Sequence, residues 1–374
     1  MKIMYDYEIL WLQKYGGISR YFYELSGEIR RQNPNAMVEI PVIAAENKIF
    51  SDSFNYKEWN IKFFERIVNE GYSIWKVLPG NILGRPYEIV HPTFYLPLVW
   101  NRLINRKRTK LVLTVFDMTH EKYMQNDQRL IQNKRKLMEK ADGIIAISEN
   151  TKHDILTLYP YLEKKKIRVI YLANGMQRVI PRKIVTPERY ILYVGNRNNY
   201  KNFETLLKAF TELKENDRDI KLLCAGGETF TDEEIRKMRT HNIKNEVIYM
   251  PVNDEELAYL YKNAVCFVFP SLYEGFGIPI LEAFYWNCPV ILSRCSCFPE
   301  IAQDAAIYFE GDDASDLACK IRIVAYDDKL RNNMKKRGTK RLETFSWERT
   351  AAETYAFYKE LLNGGTGHGK RNKM

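Results

Sequence analysis

The segment YILYVGNRNNYKNFETLLKAF, residues 190–210, reads as a strand, a turn and a helix in succession. Tyr190 to Val194 form an unbroken apolar run, and the end of the segment repeats apolar residues at helical spacing. The turn between them carries Gly195, Arg197 and Lys201, and it has neither the G-x-G-x-x-G nor the Walker spacing. The segment therefore predicts one strand–helix unit of an α/β fold, without a Rossmann dinucleotide loop or a P-loop.

The same alternation of strand and helix runs along the chain. Short apolar runs predict strands at VEIPVIA, YEIVHP, KLVLTVFD, GIIAIS, IRVIYLA, IKLLCAG, EVIYMP, CFVFPS, PVILSR and AIYFE. Helical spacing marks GGISRYFYELSGEIRRQ, LIQNKRKLMEKA, DEELAYLYKNA and IPILEAFYW. Because the strand runs are almost continuously apolar, we expect strands covered on both faces, as in doubly wound parallel sheets between helices.

Two domains are expected from the length of 374 residues. A charged segment with two prolines and no apolar period, residues 174–190, predicts a linker between them. We therefore predict an α/β domain over 1–180 and a second over 181–345, facing each other across a ligand-binding cleft. A final helix is expected over 346–362, followed by a disordered glycine-rich, basic tail over 363–374.

Composition narrows the class of protein. With 45% hydrophobic and 28% charged residues, the chain has an ordinary globular composition. It has no apolar run of about 18 residues, so no transmembrane helix is expected, and its amino terminus lacks the apolar core of a secretory signal. The six cysteines all fall in the second half without C-x-x-C spacing, which favours reduced thiols in a cytoplasmic protein and no metal site.

The net charge of +10 is compatible with nucleic acid, an anionic membrane or phosphorylated ligands. The densest cationic cluster comprises Arg102, Arg106, Lys107, Arg108 and Lys110. This cluster is either a solvated loop or a membrane-surface patch, because clustered cations beside aromatic residues suit anionic headgroups. Nucleic acid is disfavoured because no helix-turn-helix, zinc-finger or RNP pattern accompanies the charge.

Two segments have the chemistry of anion sites. Arg197 and Lys201 leave the end of a strand just before a helix, where cations and free backbone N–H groups together bind anions. Gly16 and Gly17 precede another predicted helix, and adjacent glycines allow a backbone to approach a phosphate closely. The alternative for both is structural: solvated loop charges in the first case and a common Gly-Gly loop in the second.

A carboxylate and an imidazole end the strand KLVLTVFD. Asp117 and His120 are placed for acid–base work or for binding hydroxyls, unless the aspartate only caps the next helix and the histidine is a surface residue. Ser148, after the strand GIIAIS, is interpreted mainly as the start of a helix.

The segment PSLYEGFGIPILEAF, residues 270–284, places two carboxylates around a glycine-bearing turn. Backbone N–H groups at Gly275 and Gly277 suit a phosphate oxygen. Glu274 and Glu282 would repel that anion unless each binds a sugar hydroxyl. Phosphate and hydroxyl binding side by side favour a sugar nucleotide.

Together these motifs give the chain a resemblance to a known family. In order, they are GGISRYFYEL, TVFDMTHEKY, AISENTKHDI, VIYLANG, YVGNRNNYKNFETLLKAF, CAGG, PSLYEGFGIPILEAFYWNCPVILS and PEIAQDAAIYF. Over about residues 1 to 360 the chain resembles the family 4 retaining glycosyltransferases, which have the two-domain GT-B fold. Glu274 and Glu282 match the E-x7-E signature of that family.

The resemblance implies a nucleotide-sugar donor held mainly by the second domain. It implies that Arg197 and Lys201 bind the diphosphate. It further implies that Glu274 contacts the transferred sugar and that Glu282 binds the ribose hydroxyls. It also implies that one turn, Gly275, Phe276 and Gly277, presents backbone N–H groups to the nucleotide sugar. From the first domain, it implies that Gly16 and Gly17 close onto the diphosphate.

The resemblance further implies an acceptor on the first domain near Asp117 and His120, and a last helix that returns to that domain. Reaction would retain the anomeric configuration by front-face displacement, without an obligatory metal. One departure stands out: many relatives have a histidine immediately before the aspartate that matches Asp117, and here this residue is Phe116. Either His120 takes over part of that role, or the acceptor subsite differs.

Within the family, the motif YVGNRNNYKN is most like mannosyltransferases that use GDP-mannose, with UDP-sugars as the alternative donors. The expected acceptor is a glycan or a lipid-linked oligosaccharide of surface-polysaccharide or O-antigen synthesis. Two other classes stay open, a GT-B enzyme such as a sugar-nucleotide epimerase or a phosphorylase, and a non-catalytic sugar-nucleotide-binding protein.

Overall fold

The structure is a computed structural model, and it groups the chain into two compact units. Unit 1 comprises Met1–Leu172 and Trp347–Met374, and unit 2 comprises Ala173–Ser346. The structure describes residues 1–6, 8–13, 16–40, 87–96, 109–197, 199–215, 217 and 219–364.

Unit 1 is built on a parallel sheet. Its described strands are β1 (Lys2–Tyr5), β2 (Met37–Glu39), β3 (Ile89–His91), β4 (Lys110–Val115), β5 (Gly143–Ala146) and β6 (Lys166–Val169). They lie in the order β2-β1-β3-β4-β5-β6. Its described α-helices are α1 (Glu8–Leu12), α2 (Gly17–Gln32), α3 (Thr119–Tyr123), α4 (Gln128–Lys140), α5 (Glu149–Leu158) and α13 (Trp347–Asn363).

Unit 2 repeats the plan with its own parallel sheet. Its described strands are β7 (Tyr190–Val194), β8 (Lys221–Ala225), β9 (Val247–Met250), β10 (Cys266–Phe269), β11 (Val290–Ser293) and β12 (Ile307–Phe309), in the order β12-β11-β10-β7-β8-β9. Its described α-helices are α6 (Phe203–Lys214), α7 (Asp232–Thr240), α8 (Asp254–Asn263), α9 (Ile278–Tyr285), α10 (Phe298–Ala302), α11 (Ala314–Tyr326) and α12 (Asp328–Leu342).

The predicted fold class is confirmed. Every strand pair in the described residues is parallel, and each predicted apolar run contributes to a strand. For the run VEIPVIA this strand is β2, and residues 41–44 of the run lie outside the described part. The sequence interpretation missed β1, although this strand lies between β2 and β3 and its residues Ile3 to Tyr5 are fully buried. A run of three apolar residues bounded by Lys2 and Asp6 is too short to stand out as a buried strand.

The final helix, α13, packs within unit 1 on the sheet and on α2. Gly143 of β5 makes this possible, because a Cβ atom there would lie 2.6 Å from Leu361 Cδ1 and 2.7 Å from Phe357 Cζ. At the start of α13, the ring of Trp347 lies 6.1 Å from that of Tyr21 in α2. The carboxyl-terminal segment thus completes the core of unit 1.

A buried polar network links α13 to the strands of unit 1. His91 of β3 bonds to the Tyr358 hydroxyl through Nδ1 at 2.6 Å and to Thr114 Oγ1 through Nε2 at 2.9 Å. The Tyr358 hydroxyl also lies 3.2 Å from that of Tyr5 in β1. Because both ring nitrogens of His91 have partners, the buried imidazole is satisfied.

Some predictions fall on residues outside the described part. The membrane-surface patch is one of them, since only Lys110 of its five cations is described, where it begins β4 and pairs with Asp142. Beyond the end of α13 at Asn363, residues 365–374 of the expected tail are also not described. No α-helix within the described residues is both long and apolar enough to cross a bilayer.

Candidate functional site

Two oppositely charged side chains meet at the carboxyl edge of the unit 2 sheet. Lys201 ends a 3₁₀ turn that follows β7, and Glu274 lies in the loop between β10 and α9. Lys201 Nζ is 2.6 Å from Glu274 Oε1, and the two side chains are only 14% and 16% exposed. Because β7 and β10 are neighbouring parallel strands, their loops leave the sheet at the same edge.

The backbone of Glu274 is held by a residue that the sequence interpretation missed. Ser296 Oγ donates to the Glu274 carbonyl at 2.6 Å and accepts from the Glu274 N–H at 3.2 Å. Ser296 has a φ of 54°, in the left-handed region that a serine rarely adopts. The loop after β11 therefore adopts a costly conformation in which one hydroxyl fixes both backbone groups of Glu274.

A second missed residue, Asn202, fixes the turn that carries Lys201. Its side-chain amide donates to the carbonyls of Pro270 at 3.2 Å and Gly311 at 2.6 Å. Like Ser296, Asn202 adopts a left-handed conformation, with a φ of 55°. The turn after β7 is thereby tied to the end of β10, and Lys201 is brought beside Glu274.

The glycine-bearing turn predicted to present N–H donors leads into α9. Gly277 has a φ of 87° and precedes the first residue of the helix. A Cβ atom on it would lie 2.9 Å from Ile280 Cδ1, so this turn requires glycine. Phe276 is buried and packs edge-on against Phe345 at 5.8 Å, while Gly275 is also buried in the turn. These contacts fix the backbone that follows Glu274.

Glu282 is a buried carboxylate on α9, 9% exposed. The hydroxyl of Tyr261, from α8, donates to Glu282 Oε2 at 3.2 Å. Burial, and then the charge of Glu282, hold the pKa of Tyr261 well above its ordinary value, so this phenol stays a donor. The second carboxylate of the E-x7-E pair is thus oriented by a hydrogen bond from a neutral phenol.

Arg197 has different partners from Lys201. Its side chain is 5% exposed, and Nε lies 2.6 Å from Glu234 Oε1. Nη2 donates to the carbonyls of Glu228 and Thr229, and the guanidinium lies 4.9 Å from the ring centre of Phe230. Nη1 is buried without a hydrogen-bond partner among the described residues. In this structure Arg197 anchors the loop before α7, and its diphosphate role stays a prediction.

The predicted acid–base residues of unit 1 lie in one turn at the end of β4. Asp117 Oδ1 accepts from Thr119 N at 3.0 Å, a local bond within the turn, whereas the N-cap of α3 is Met118 and α3 has no side-chain cap. His120 lies on α3, and its Nδ1 is buried with no hydrogen-bond partner among the described residues. Asp117 and His120 therefore share one short, structured segment.

Phe116 belongs to the core of unit 1. Its side chain is 9% exposed, and its ring packs edge-on against Tyr21 at 5.3 Å and near Phe22 at 6.3 Å. The aromatic residue that stands where many relatives have histidine thus secures α2 against β4. It contributes packing at this position and no titratable group.

The two glycines predicted to approach a phosphate begin α2. Gly16 precedes the helix with an extended backbone, and Gly17 is its first residue. A Cβ atom on Gly16 would lie 2.2 Å from Gln13 Oε1, which shows how closely the preceding chain approaches. Ser19 Oγ donates to the Gly16 carbonyl at 2.9 Å. The helix start is well defined, and its role towards a donor stays a prediction.

The interpretation of Ser148 as a helix start is confirmed, because its hydroxyl accepts from Thr151 N at the start of α5.

Across the described ranges, no three His, Cys, Asp or Glu side chains cluster so as to hold a metal ion. Metal independence remains a prediction from the resemblance.

Two family models match the chain, one in each unit. Residues 15–173 match the model described as Glycosyltransferase Family 4, and residues 179–341 match Glycosyl transferases group 1. The chain belongs to the family 4 glycosyltransferases. Its similarity to solved structures confirms the GT-B fold. It superposes on the sucrose-phosphate synthase of Thermosynechococcus elongatus with a TM-score of 0.74 and 19% identity, covering 97% of this chain and 100% of that one.

The curated relatives of this glycosyltransferase include O-antigen enzymes. It is 29% identical over 287 residues to O-antigen chain mannosyltransferase B of Escherichia coli, covering 72% of this chain and 73% of that protein. Its identity to a diphospho-undecaprenol N-acetylgalactosaminyltransferase of Campylobacter jejuni is 24% over 259 residues, with 67% of this chain and 70% of that protein covered. The two relatives transfer different sugars, so similarity alone leaves the donor open.

Proposed function

We propose that this glycosyltransferase moves mannose from GDP-mannose to a glycan or lipid-linked acceptor in surface-polysaccharide synthesis, with retention of anomeric configuration. The observation that carries the proposal is the Lys201–Glu274 pair at the carboxyl edge of unit 2, at 2.6 Å. A cation for a diphosphate and a carboxylate for sugar hydroxyls are the two groups that a sugar nucleotide needs side by side. Similarity to an O-antigen mannosyltransferase supports mannose as the sugar.

The pair can serve a donor without first separating. An ammonium group has three N–H donors and a carboxylate has several acceptor sites, so their mutual bond does not exclude ligand bonds. Lys201 would bind the diphosphate, and Glu274 would accept from hydroxyls of the transferred sugar. Glu282, oriented by Tyr261, would hold the ribose, and the turn of Gly275, Phe276 and Gly277 would face the phosphates.

In the proposed reaction, the bond between the sugar C1 and the β-phosphate oxygen breaks, and its electrons leave with the diphosphate. The acceptor oxygen bonds to C1 on the same face, and its proton passes to the departing phosphate oxygen. Lys201 lowers the barrier by stabilising the charge that develops on that diphosphate. Asp117 and His120 of unit 1 would bind the acceptor hydroxyl.

Donor choice is tested by a thermal-shift screen of the full chain against GDP, UDP and ADP and their sugars, followed by radiolabelled transfer. GDP and GDP-mannose are expected to stabilise the protein most, because a ligand at 100 times its Kd adds about 2.7 kcal/mol. Preference for UDP-sugars would replace the donor assignment with the alternative. Release of an altered free sugar without acceptor would favour an epimerase, and tight binding without turnover would favour a binding protein.

Ser296 offers a prediction about the backbone of Glu274. Ser296→Ala and Ser296→Gly are both expected to lower kcat about tenfold, since both remove the hydroxyl that holds Glu274 and misplacement of a reacting group is costly. The glycine variant should be the more stable one, because glycine adopts a φ of 54° without strain. Initial rates and melting temperatures measure the two effects. Wild-type kcat in Ser296→Gly would show that the hydroxyl does not position Glu274.

The predicted cytoplasmic location and the membrane contact through Arg102 to Lys110 remain predictions, since most of that cluster lies outside the described residues.

A further inference from the structure

A lysine is completely buried beneath the turn that carries Asp117 and His120. Lys134 lies on α4 with its side chain 0% exposed. Its Nζ donates to Glu121 Oε2 at 2.7 Å and to the Asp117 carbonyl at 3.1 Å, and it lies 5.2 Å from the ring centre of Tyr95. Lysine is almost never fully buried unless it is paired, so this arrangement requires a reason.

Stability alone does not explain the buried pair. Replacing a buried ion pair with apolar residues of similar volume is often neutral or stabilising, whereas removal of one partner is strongly destabilising. Glu121 Oε1 is itself buried and has no partner among the described residues, so the pair is not optimised as a source of folding energy. The location of its contacts is the more informative feature.

The contacts of Lys134 bracket the predicted acceptor residues. Nζ holds the carbonyl of Asp117, where the chain leaves β4, and the carboxylate of Glu121, one residue beyond His120. The Tyr95 hydroxyl accepts from the Phe116 N–H at 3.2 Å on the other side of Asp117. A single ammonium group therefore fixes both ends of the segment from Asp117 to Glu121.

We infer that Lys134 and Glu121 are positioning residues that fix Asp117 and His120 for the acceptor. The inference rests on the proposed function. Neither side chain of the pair is expected to contact the acceptor, because Lys134 is 0% exposed and Glu121 only 4% exposed. Their effect is on acceptor geometry, while donor binding to unit 2 does not depend on them.

The test is the double variant Lys134→Met/Glu121→Leu, which removes both charges together, so that no buried charge is left without its partner, and takes the Lys134 donor away from the Asp117 carbonyl. GDP-mannose is the donor and octyl α-D-mannopyranoside is the acceptor probe. We expect kcat/KM for the acceptor to fall about 10- to 100-fold, with the Kd for GDP and the hydrolysis of GDP-mannose without acceptor unchanged. Lys165→Met is the matched control, because Lys165 also donates to two backbone carbonyls, those of Glu139 and Ala141, away from this turn.

A second readout does not need activity. The His120 ring resonance, assigned by its loss in His120→Gln, should shift in the double variant and stay in place in Lys165→Met. A folded double variant with an unshifted His120 resonance overturns the inference, as does one with wild-type acceptor kinetics. A wild-type enzyme that transfers from no nucleotide sugar overturns the proposed function instead, and the histidine resonance still decides the positioning role.

Discussion

Lys201→Met is expected to lower kcat about 100- to 1000-fold, the range found when one preorganised charge-stabilising donor is removed from an active site. Two effects act in the same direction. The variant loses the ammonium group that stabilises the departing diphosphate. In the wild-type protein, Lys201 Nζ lies 2.6 Å from Glu274 Oε1. Without the lysine, Glu274 becomes an uncompensated anion beside the phosphates. The loss should therefore appear in kcat and in donor affinity together.

Lys208→Met is the matched control for this variant. Lys208 pairs with Glu204 at 2.9 Å on the surface of α6, and its side chain is 51% exposed. Exposed pairs of this kind are worth about 0–1 kcal/mol, so the control should retain its transfer rate. Steady-state kinetics with GDP-mannose measure both variants. A Lys201→Met kcat close to that of Lys208→Met would remove Lys201 from the mechanism.

Glu274→Gln separates the two effects of the Lys201 substitution. Glutamine removes the anion but keeps an acceptor for sugar hydroxyls, so repulsion of the phosphates disappears. Combined with Lys201→Met, it should restore part of the donor affinity and little of kcat, because no cation is returned. Full recovery of kcat in the double variant would show that Lys201 acts only by neutralising Glu274.

The sequence predicts which edge of the sheet holds the site, but it misses many of the contacts between residues at that edge. Apolar runs indicate parallel strands, and residues that follow parallel strands collect at one edge. That logic places Lys201 and Glu274 at the same edge although 73 positions separate them. Strand order makes them neighbours, because β10 pairs directly with β7. No local pattern encodes that adjacency.

Arg197 shows the limit of local reasoning most clearly. Its position after β7 resembles that of Lys201, yet its partners come from a different strand–helix unit. Glu234, which accepts from Arg197, also forms the capping box of α7 with Thr231, so a local helix signal fixes a distant contact. The aromatic contact with Phe230 adds a second partner from the same loop.

For the other residues that the sequence interpretation missed, the sequence contains a detectable pattern in one case and none in the others. The left-handed conformations of Asn202 and Ser296 are set by tertiary contacts, and a serine or asparagine in a loop does not reveal them. Lys134 was detectable, because it shares the buried face of α4 with Leu130, Leu137 and Met138 at helical spacing. A lysine in the middle of an apolar stripe indicates a buried partner.

Acidification from pH 7.5 to 5.0 is expected to destabilise unit 1 through His91. Burial lowers the pKa of this imidazole to about 3, from an ordinary value of 6.5. Below pH 6.5, the unfolded chain therefore binds a proton on His91, whereas the folded chain binds it only below about pH 3. The free energy of unfolding is unaffected by His91 above pH 6.5 and falls as the pH drops, by about 2 kcal/mol at pH 5.0.

A second buried group opposes this loss. Burial raises the pKa of Asp6, at the end of β1, to about 6 from an ordinary 3.8. The folded state then binds the extra proton between these values, so acidification to pH 5.0 adds stability, on the order of 1 kcal/mol. Because the two effects oppose each other, the pH dependence of the wild-type protein alone does not reveal His91.

His91→Asn isolates the histidine effect. The variant loses the titratable ring, so its change in stability between pH 7.5 and 5.0 should be more favourable than that of the wild type by about 2 kcal/mol, whatever its absolute stability. Protection factors for amides of β1 and β3, corrected for intrinsic exchange, report the opening free energy of unit 1. His153→Asn, on the exposed side of α5, is the control and should follow the wild type. Identical pH dependence in His91→Asn and wild type would mean that the buried imidazole accepts a proton in the folded state and donates to both Tyr358 and Thr114.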